Sequence, residues 1–273
     1  MFEAKKKQTQ LSVTLSMFAV IFHMTAHSIR SKHTNAFAAI AINMIQVVMM
    51  VAVFFVMFEL LGLRGAALRG DFLLYIMSGI FIFITNVKAM GSVAGSSGPS
   101  HPMMQHAPMN TFVAMVSAAL GSLYIQVLCI MLILIIYHTA FTPIEIYRPI
   151  QAFMMILLAW FNGAAIGLVF LALKPWFPQL TGISQTIYMR VNMFASGKMF
   201  VANSAPFYLI AMVSWNPLFH IVDQTRGFTF INYNPHYTNW MYPLVFSFVI
   251  MLIGFMGENY SRKHVSASWA ARQ

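Results

Sequence analysis

The chain has 273 residues, of which 59% are hydrophobic and only 8% are charged, and its formal net charge is +10. Soluble globular domains carry about 25% charged residues because their surfaces must be hydrated, so this composition excludes a water-soluble enzyme or binding domain. Most of the basic residues flank apolar runs. The expected partners of the positive charge are therefore anionic lipid headgroups rather than nucleic acid.

The first apolar stretch, residues 11–32, predicts an N-terminal interfacial helix. His23, His27 and Arg30 share one face of such a helix, whereas Phe22 and its apolar neighbours lie on another. An amphipathic helix of this kind lies in the plane of the membrane interface rather than across the bilayer. The alternative interpretation is an imperfect transmembrane segment.

Six further stretches predict transmembrane helices, because each is long and apolar enough to cross a bilayer. They are residues 35–61, 72–90, 111–137, 149–173, 183–202 and 240–257. Backbone polar groups inside a bilayer must bond within their own segment, so the predicted fold class is all-α. The fourth stretch contains small residues around Gly163 and Gly167, which favour close helix packing. The fifth is the least regular, since it contains Arg190.

The lysines and arginines predict an orientation with both termini in the cytoplasm. In that orientation ten basic residues lie on the cytoplasmic side, five lie on the other side and Arg190 lies in the membrane, which accounts for all 16.

Two connections differ from ordinary loops. Residues 91–110 are dense in Gly, Ser and Pro with interspersed methionines, a pattern that suits a short cytoplasmic docking helix between bends. Residues 203–239 are apolar in places but interrupted by several prolines. That pattern predicts re-entrant half-helices that enter the outer leaflet before the last span, because non-helical backbone at that depth must be covered by protein.

The residues that would support catalysis are sparse. His23 and His27 have the spacing of two metal ligands on one helix face, and His101 and His106 form a second near-pair. Membrane iron enzymes need several more clustered histidines or carboxylates, and the six acidic residues are scattered. Neither G-x-S-x-G nor the phosphate-binding G-x-x-x-x-G-K-[ST] occurs. We predict no catalytic residue, no metal site and no cofactor bound by this chain; a metal-dependent membrane enzyme remains the alternative from another class.

Residues 215–227, with the sequence WNPLFHIVDQTRG, form the most distinctive local pattern. Asn216 can cap a helix that begins at Pro217, because proline fits the first turn and the asparagine side chain accepts a free N–H group. Asp223 and Arg226 are then spaced to pair at i, i+3. The functional interpretation places this cluster in a translocation path; the alternative is that it only fixes the re-entrant helix.

Two cations of the fifth stretch, Arg190 and Lys198, also invite a functional interpretation, because a cation inside a span is functional by default. They could attract an acidic or phosphate-bearing glycan. The alternative is that they extend to an interface or pair with a partner subunit.

The segment from Trp215 to Gly227 resembles the N-P-L-x-H-x-x-(E/D)-x-x-R pattern that precedes the last span in capsule and O-antigen polysaccharide export permeases, which are subunits of type-2 ABC exporters. The order of an interfacial helix, six spans, a breaker-rich segment after the second span and a re-entrant region is similar to that family along essentially the whole chain. Ala107-Pro108-Met109 is similar to the family's entry to the third span. Related permeases commonly carry charges in the docking segment, whereas residues 91–110 have none.

The resemblance implies export of a lipid-linked polysaccharide across the inner membrane by two copies of this chain and two copies of a separate ABC ATPase, which would supply ATP and Mg²⁺ chemistry. For capsule-type exporters it also implies periplasmic and outer-membrane partners. A lipo-oligosaccharide, teichoic acid or drug is the alternative substrate. The residues expected to couple to the ATPase are Pro99, His101, Met103, Met104, His106 and Pro108. Those expected along the translocation path are Arg190, Lys198, Trp215, His220, Asp223 and Arg226.

Overall fold

A computed structural model describes residues 19–26, 36–60, 62, 71–96 and 111–264, and these form helices joined by turns, with no strand among them. The helices are α1 (residues 19–26), α2 (Ala36–Leu60), α3 (Phe72–Ala94), α4 (Thr111–Ala140), α5 (Pro149–Leu173), α6 (Pro178–Ala195), α7 (Phe207–Val213), α8 (Pro217–Thr229) and α9 (Met241–His264). A single 3₁₀ turn spans Ala202–Ser204. The prediction of an all-α membrane protein is confirmed.

Five helices of the described ranges are long and apolar enough to cross a membrane: α2, from Ile40 onward, together with α3, α4, α5 and α9. The stretch predicted as the fifth span, 183–202, forms α6 with different bounds. The helix begins earlier, at Pro178, which suits the first turn. It ends before Gly197, whose φ of +70° turns the chain out of the helix. Because α6 is more polar than the other five, a sixth crossing stays a prediction.

Helix α3 is the centre of the bundle, and every residue from 74 to 86 is buried. Its closest neighbour is α5, because two glycines of α5 lie at the contact and leave no side chain between the helices. A Cβ atom on Gly163 would lie 2.2 Å from the Asn86 carbonyl oxygen, and one on Gly167 would lie 2.6 Å from that of Met90. The predicted role of these small residues in close helix packing is therefore confirmed.

Helix α8 lies at one end of the bundle, which we call the α8 end: here α4 ends, and α5 and α9 begin. The backbone N–H groups of Tyr147 and Arg148, just before α5, donate to the carbonyls of Thr229 and Phe228 at 3.1 and 2.8 Å. The opposite end holds the start of α4 and the end of α9.

The predicted interfacial helix falls only partly within the described residues. Residues 19–26 are helical, and the Ser117 hydroxyl near the start of α4 donates to the Ile21 carbonyl at 3.2 Å. His27, Arg30 and the coupling residues Pro99, His101, Met103, Met104, His106 and Pro108 lie outside the described residues.

Candidate functional site

The site forms where α8 meets the turn that follows α6. The Asn216 side chain caps α8 as predicted, accepting from the Leu218 N–H at 3.0 Å, and Pro217 occupies the first turn. The amide of Asn216 also donates to the Ala195 carbonyl and to the Asn192 side chain, both at 2.9 Å. One residue therefore begins α8 and ties it to the end of α6.

Arg226 occupies the centre of this site and is 1% exposed. One terminal guanidinium nitrogen donates to the carbonyls of Gly197 and Phe200 at 3.0 and 2.7 Å, and the other donates to that of Lys198 at 2.8 Å. The guanidinium carbon also lies 4.3 Å from the centroid of the Tyr75 ring. Arg226 thus clamps the 197–200 turn against α8 and α3.

Asp223 does not pair with Arg226, so that prediction is wrong. Its carboxylate accepts hydrogen bonds from the Tyr233 hydroxyl and, at 2.8 Å, from the Thr238 hydroxyl. The aspartate bonds to the segment that leads into α9, whereas the arginine bonds to the turn after α6. Each charge is stabilised by uncharged dipoles instead of by the other charge.

His220 is held in its neutral form by two backbone groups. The Asn239 N–H donates to Nδ1 at 3.1 Å, so Nδ1 must be unprotonated, and Nε2 lies 2.7 Å from the Ser214 carbonyl, to which only an N–H can donate. Burial lowers the pKa of the imidazole, against the opposing effects of the Ser214 carbonyl and the Asp223 charge. His220 therefore acts here as a neutral bridge between α8 and the start of α9.

Lys198 differs from Asp223 and Arg226 in its surroundings. It is 3% exposed, and its ammonium nitrogen lies 3.5 Å from the centroid of the Phe83 ring and 4.9 Å from that of Phe54. Within the described residues this nitrogen has no hydrogen-bond partner. A cation over aromatic faces is attracted by the ring quadrupoles, but its three N–H donors remain available.

The structure thus brings together four of the six residues predicted along the path, namely Lys198, His220, Asp223 and Arg226. The other two are exposed: Arg190 lies on the exposed face of α6, and Trp215, just before α8, is 62% exposed.

Sequence reasoning missed a buried polar chain that crosses the bundle. The Asn86 amide of α3 donates to the Asn162 side-chain oxygen at 2.9 Å and to the Ala159 carbonyl at 3.1 Å. The Asn162 amide of α5 donates to the Ser247 hydroxyl of α9 at 2.9 Å, and the Tyr188 hydroxyl of α6 donates to Asn86 at 3.4 Å. The only signal in the sequence was one asparagine inside each of two apolar stretches, because an asparagine in lipid needs a partner.

No three His, Cys, Asp or Glu side chains of the described ranges are placed to hold a metal ion. His27, His101 and His106, which belong to the two near-pairs, are outside those ranges.

No family model matches the chain. Two curated proteins are similar to it, and both carry the name polysialic acid transport protein KpsM, from Escherichia coli. One is 24% identical over 209 residues, which cover 71% of this chain and 77% of the relative. The other is 25% identical over 175 residues, which cover 64% of this chain and 66% of the relative.

Proposed function

We propose that this chain, a member of the polysaccharide-export permease family of ABC transporters, is the membrane-spanning subunit of an exporter that carries a polysaccharide across the inner membrane. The observation that carries the proposal is its similarity to two polysialic acid transport proteins, one of which aligns with 71% of the chain. The all-α bundle and the capped α8, which holds the N-P-L-x-H motif, are consistent with that similarity.

Energy for export would come from a separate ABC ATPase that binds ATP and Mg²⁺. Two copies of the ATPase and two copies of this chain would form the working transporter. The ATPase would dock at residues 91–110, through Met103 and Met104 in particular, because that segment has apolar side chains and no charge. Both chain termini would lie in the cytoplasm with the ATPase, so the α8 end would face outward. In a capsule-type exporter, periplasmic and outer-membrane proteins would receive the polymer.

Lys198 is the residue best suited to attract an anionic substrate. Its ammonium group is buried yet makes no hydrogen bond among the described residues, whereas the terminal nitrogens of Arg226 are already bonded to carbonyls. A buried cation without an acceptor is costly, and a carboxylate or phosphate of the substrate would supply the acceptor. Arg190 and Trp215 would contact the polymer from exposed positions. A lipid-linked capsule or O-antigen polysaccharide is the proposed cargo.

The test measures export directly in the cell. Deletion of the gene should abolish polysaccharide at the cell surface while polymer accumulates inside; a deletion strain with normal surface polysaccharide would contradict the proposed function. Lys198→Gln should reduce export of an acidic polymer, and Lys198→Arg should restore part of it because the charge returns. The matched control is Lys263→Gln, which removes an exposed lysine at the end of α9.

A further inference from the structure

An apolar groove lies where α4, α5 and α9 meet, toward the end of the bundle opposite the α8 end. Its volume is about 270 Å³, and every residue that lines it has an apolar or aromatic side chain. The one polar atom among these side chains, the indole N–H of Trp160, donates to the Ala119 carbonyl at 2.8 Å. The groove therefore suits a hydrocarbon chain rather than a polar ligand.

The groove extends from the end of the bundle over most of one bilayer leaflet. It follows α4 from Phe112 to Leu120, which are eight residues apart and thus separated by about 12 Å along the helix. Half of a typical hydrocarbon core is about 15 Å. Phe112 is the second residue of α4, and its ring lies 6.0 Å from that of Phe255 on α9. Phe248, on the other wall, is 55% exposed, so the groove opens toward the surrounding lipid.

The wall that α9 contributes continues beyond the groove into a cation. Phe248, Phe255 and Arg262 are spaced seven residues apart, which is close to two helical turns, so they share one face of α9. Arg262 is exposed and lies about 10 Å beyond Phe255 along the helix axis. Its one hydrogen bond within the described residues is a long one, to the Asn259 side chain at 3.4 Å. Most of its five N–H donors thus remain available to a ligand.

Glu258 lies on nearly the same face, between the groove and Arg262. It is partly buried, and one of its carboxylate oxygens is enclosed without a hydrogen-bond donor in the part of the chain that the structure describes. A carboxylate in this situation is destabilised. A cationic donor that approaches from the exposed side of the residue would stabilise it.

These two side chains select the headgroup of the lipid. A guanidinium binds a phosphate well, whereas an ionised carboxylate only accepts hydrogen bonds. A headgroup that suits both must carry a phosphate and, a few bonds away, an ammonium group with N–H donors. Phosphatidylethanolamine has both groups. Phosphatidylglycerol has no cation, and the quaternary ammonium of phosphatidylcholine has no N–H.

We propose that this groove binds phosphatidylethanolamine, with one acyl chain between α4, α5 and α9, its phosphate on Arg262 and its ammonium on Glu258. In the proposed orientation the lipid belongs to the cytoplasmic leaflet. The inference goes beyond the proposed function, because the lipid is a bound component of the membrane subunit and not the exported cargo.

The test uses the full chain, purified in detergent, and phosphatidylethanolamine that carries a diazirine in its acyl chain. Irradiation should place adducts on residues 112–120 and 248–255, located by mass spectrometry, and unmodified phosphatidylethanolamine should compete. Phosphatidylglycerol and phosphatidylcholine with the same photoreactive chain should label these segments several-fold less.

Two substitutions separate the contributions of the headgroup contacts. Arg262→Gln should lower labelling by all three lipids about tenfold, which corresponds to about 1.4 kcal/mol, because each of them carries a phosphate. Its matched control is Lys263→Gln, which removes the next cation of α9 from a position about 100° around the helix and should label normally. Glu258→Gln should leave labelling by phosphatidylglycerol unchanged and remove the preference for phosphatidylethanolamine over it.

Substitutions that fill the groove test the position of the acyl chain. Leu120→Trp replaces a groove residue that is 36% exposed, and labelling by all three lipids should fall several-fold. Met251→Trp, on the opposite wall, is a second variant in case the first does not fold. The matched control is Leu252→Trp on the exposed face of α9, 64% exposed in the wild type, which should label normally.

Equal labelling of the groove by the three lipids would overturn the recognition of phosphatidylethanolamine. Adducts spread evenly over all lipid-facing helices would overturn the site itself, as would a groove without adducts because another segment of this chain fills it. Labelling is measured on the purified chain and export in cells, so the outcome of one does not decide the other. Selective labelling together with normal surface polysaccharide in the deletion strain would retain the lipid site and remove the exporter function.

Discussion

Arg226→Lys separates a structural role of Arg226 from direct contact with the substrate. Arg226 makes three hydrogen bonds, to the carbonyls of Gly197, Lys198 and Phe200. A lysine keeps the charge but lacks the planar fork of donors and has a shorter reach. We expect it to retain one of the three hydrogen bonds and to leave two buried carbonyls without a donor.

The expected loss of stability follows from those two hydrogen bonds. Hydrogen bonds to charged groups contribute about 1.5–3 kcal/mol each, which gives about 3 kcal/mol or more for two. Typical values in membrane helix bundles, about 0.6 kcal/mol per bond, give a lower bound near 1 kcal/mol. With about 2–4 °C per kcal/mol for a chain of this size, a loss of about 1–3 kcal/mol in Arg226→Lys should lower the melting temperature by roughly 2–12 °C.

The assay is thermal unfolding of the purified full chain in detergent, together with surface polysaccharide in cells. Arg190→Lys is the matched control, because Arg190 is exposed on α6 and no shift in melting temperature is expected there. An Arg226→Lys variant that melts with the wild type but has lost export would refute the clamp. Arg226 would then act on the substrate.

Two further predictions concern packing and pH. Gly163→Ala should destabilise the bundle by about 1–3 kcal/mol, because the added Cβ would lie 2.2 Å from the Asn86 carbonyl oxygen. The control in the same melting assay is Gly182→Ala on α6, where an added Cβ meets nothing within 4 Å. Burial lowers the pKa of His220, so the folded chain favours the neutral imidazole that accepts the hydrogen bond from Asn239. The stability that this hydrogen bond contributes should be complete above the ordinary histidine pKa of about 6.5. It should decline as the pH falls from that value toward the lowered pKa of the folded state. The drop in melting temperature between pH 7.5 and pH 5 should be smaller in His220→Gln, and an equal drop would contradict the assignment.

The sequence predicted the helices whose signal is local. Apolar length predicted the five long helices, and Asn216-Pro217 predicted the start of α8, because capping needs only neighbouring residues. The predicted bounds of α6, 183–202, differ from the observed helix at both ends. Pro178 allows the helix to begin earlier, and Gly197 ends it, whereas the prediction followed the apolar residues that continue to residue 202. The predicted pair of Asp223 and Arg226 failed because helix spacing shows which residues can meet, not which distant groups compete for them.

The network of Asn86, Asn162 and Ser247 was beyond sequence reasoning for the same reason. Each residue stood alone in its own apolar stretch, and their contact depends on the close approach of α3 and α5 that Gly163 permits. A single sequence contains the polar residue and the small residue but not the register that aligns them.

The hydrogen bonds around α8 also decide which predicted path residue can interact with cargo. Asp223 is bonded to two hydroxyls, His220 bridges two backbone groups, and the terminal nitrogens of Arg226 are bonded to three carbonyls. For any of these to bind a substrate, existing hydrogen bonds must first break, each at about 1–3 kcal/mol. Lys198 differs, because its ammonium lies over two aromatic rings and makes no hydrogen bond within the part of the chain that the structure describes. It can gain an anionic partner without losing a hydrogen bond, so Lys198 is the cation of this cluster from which recognition of an acidic polymer should begin.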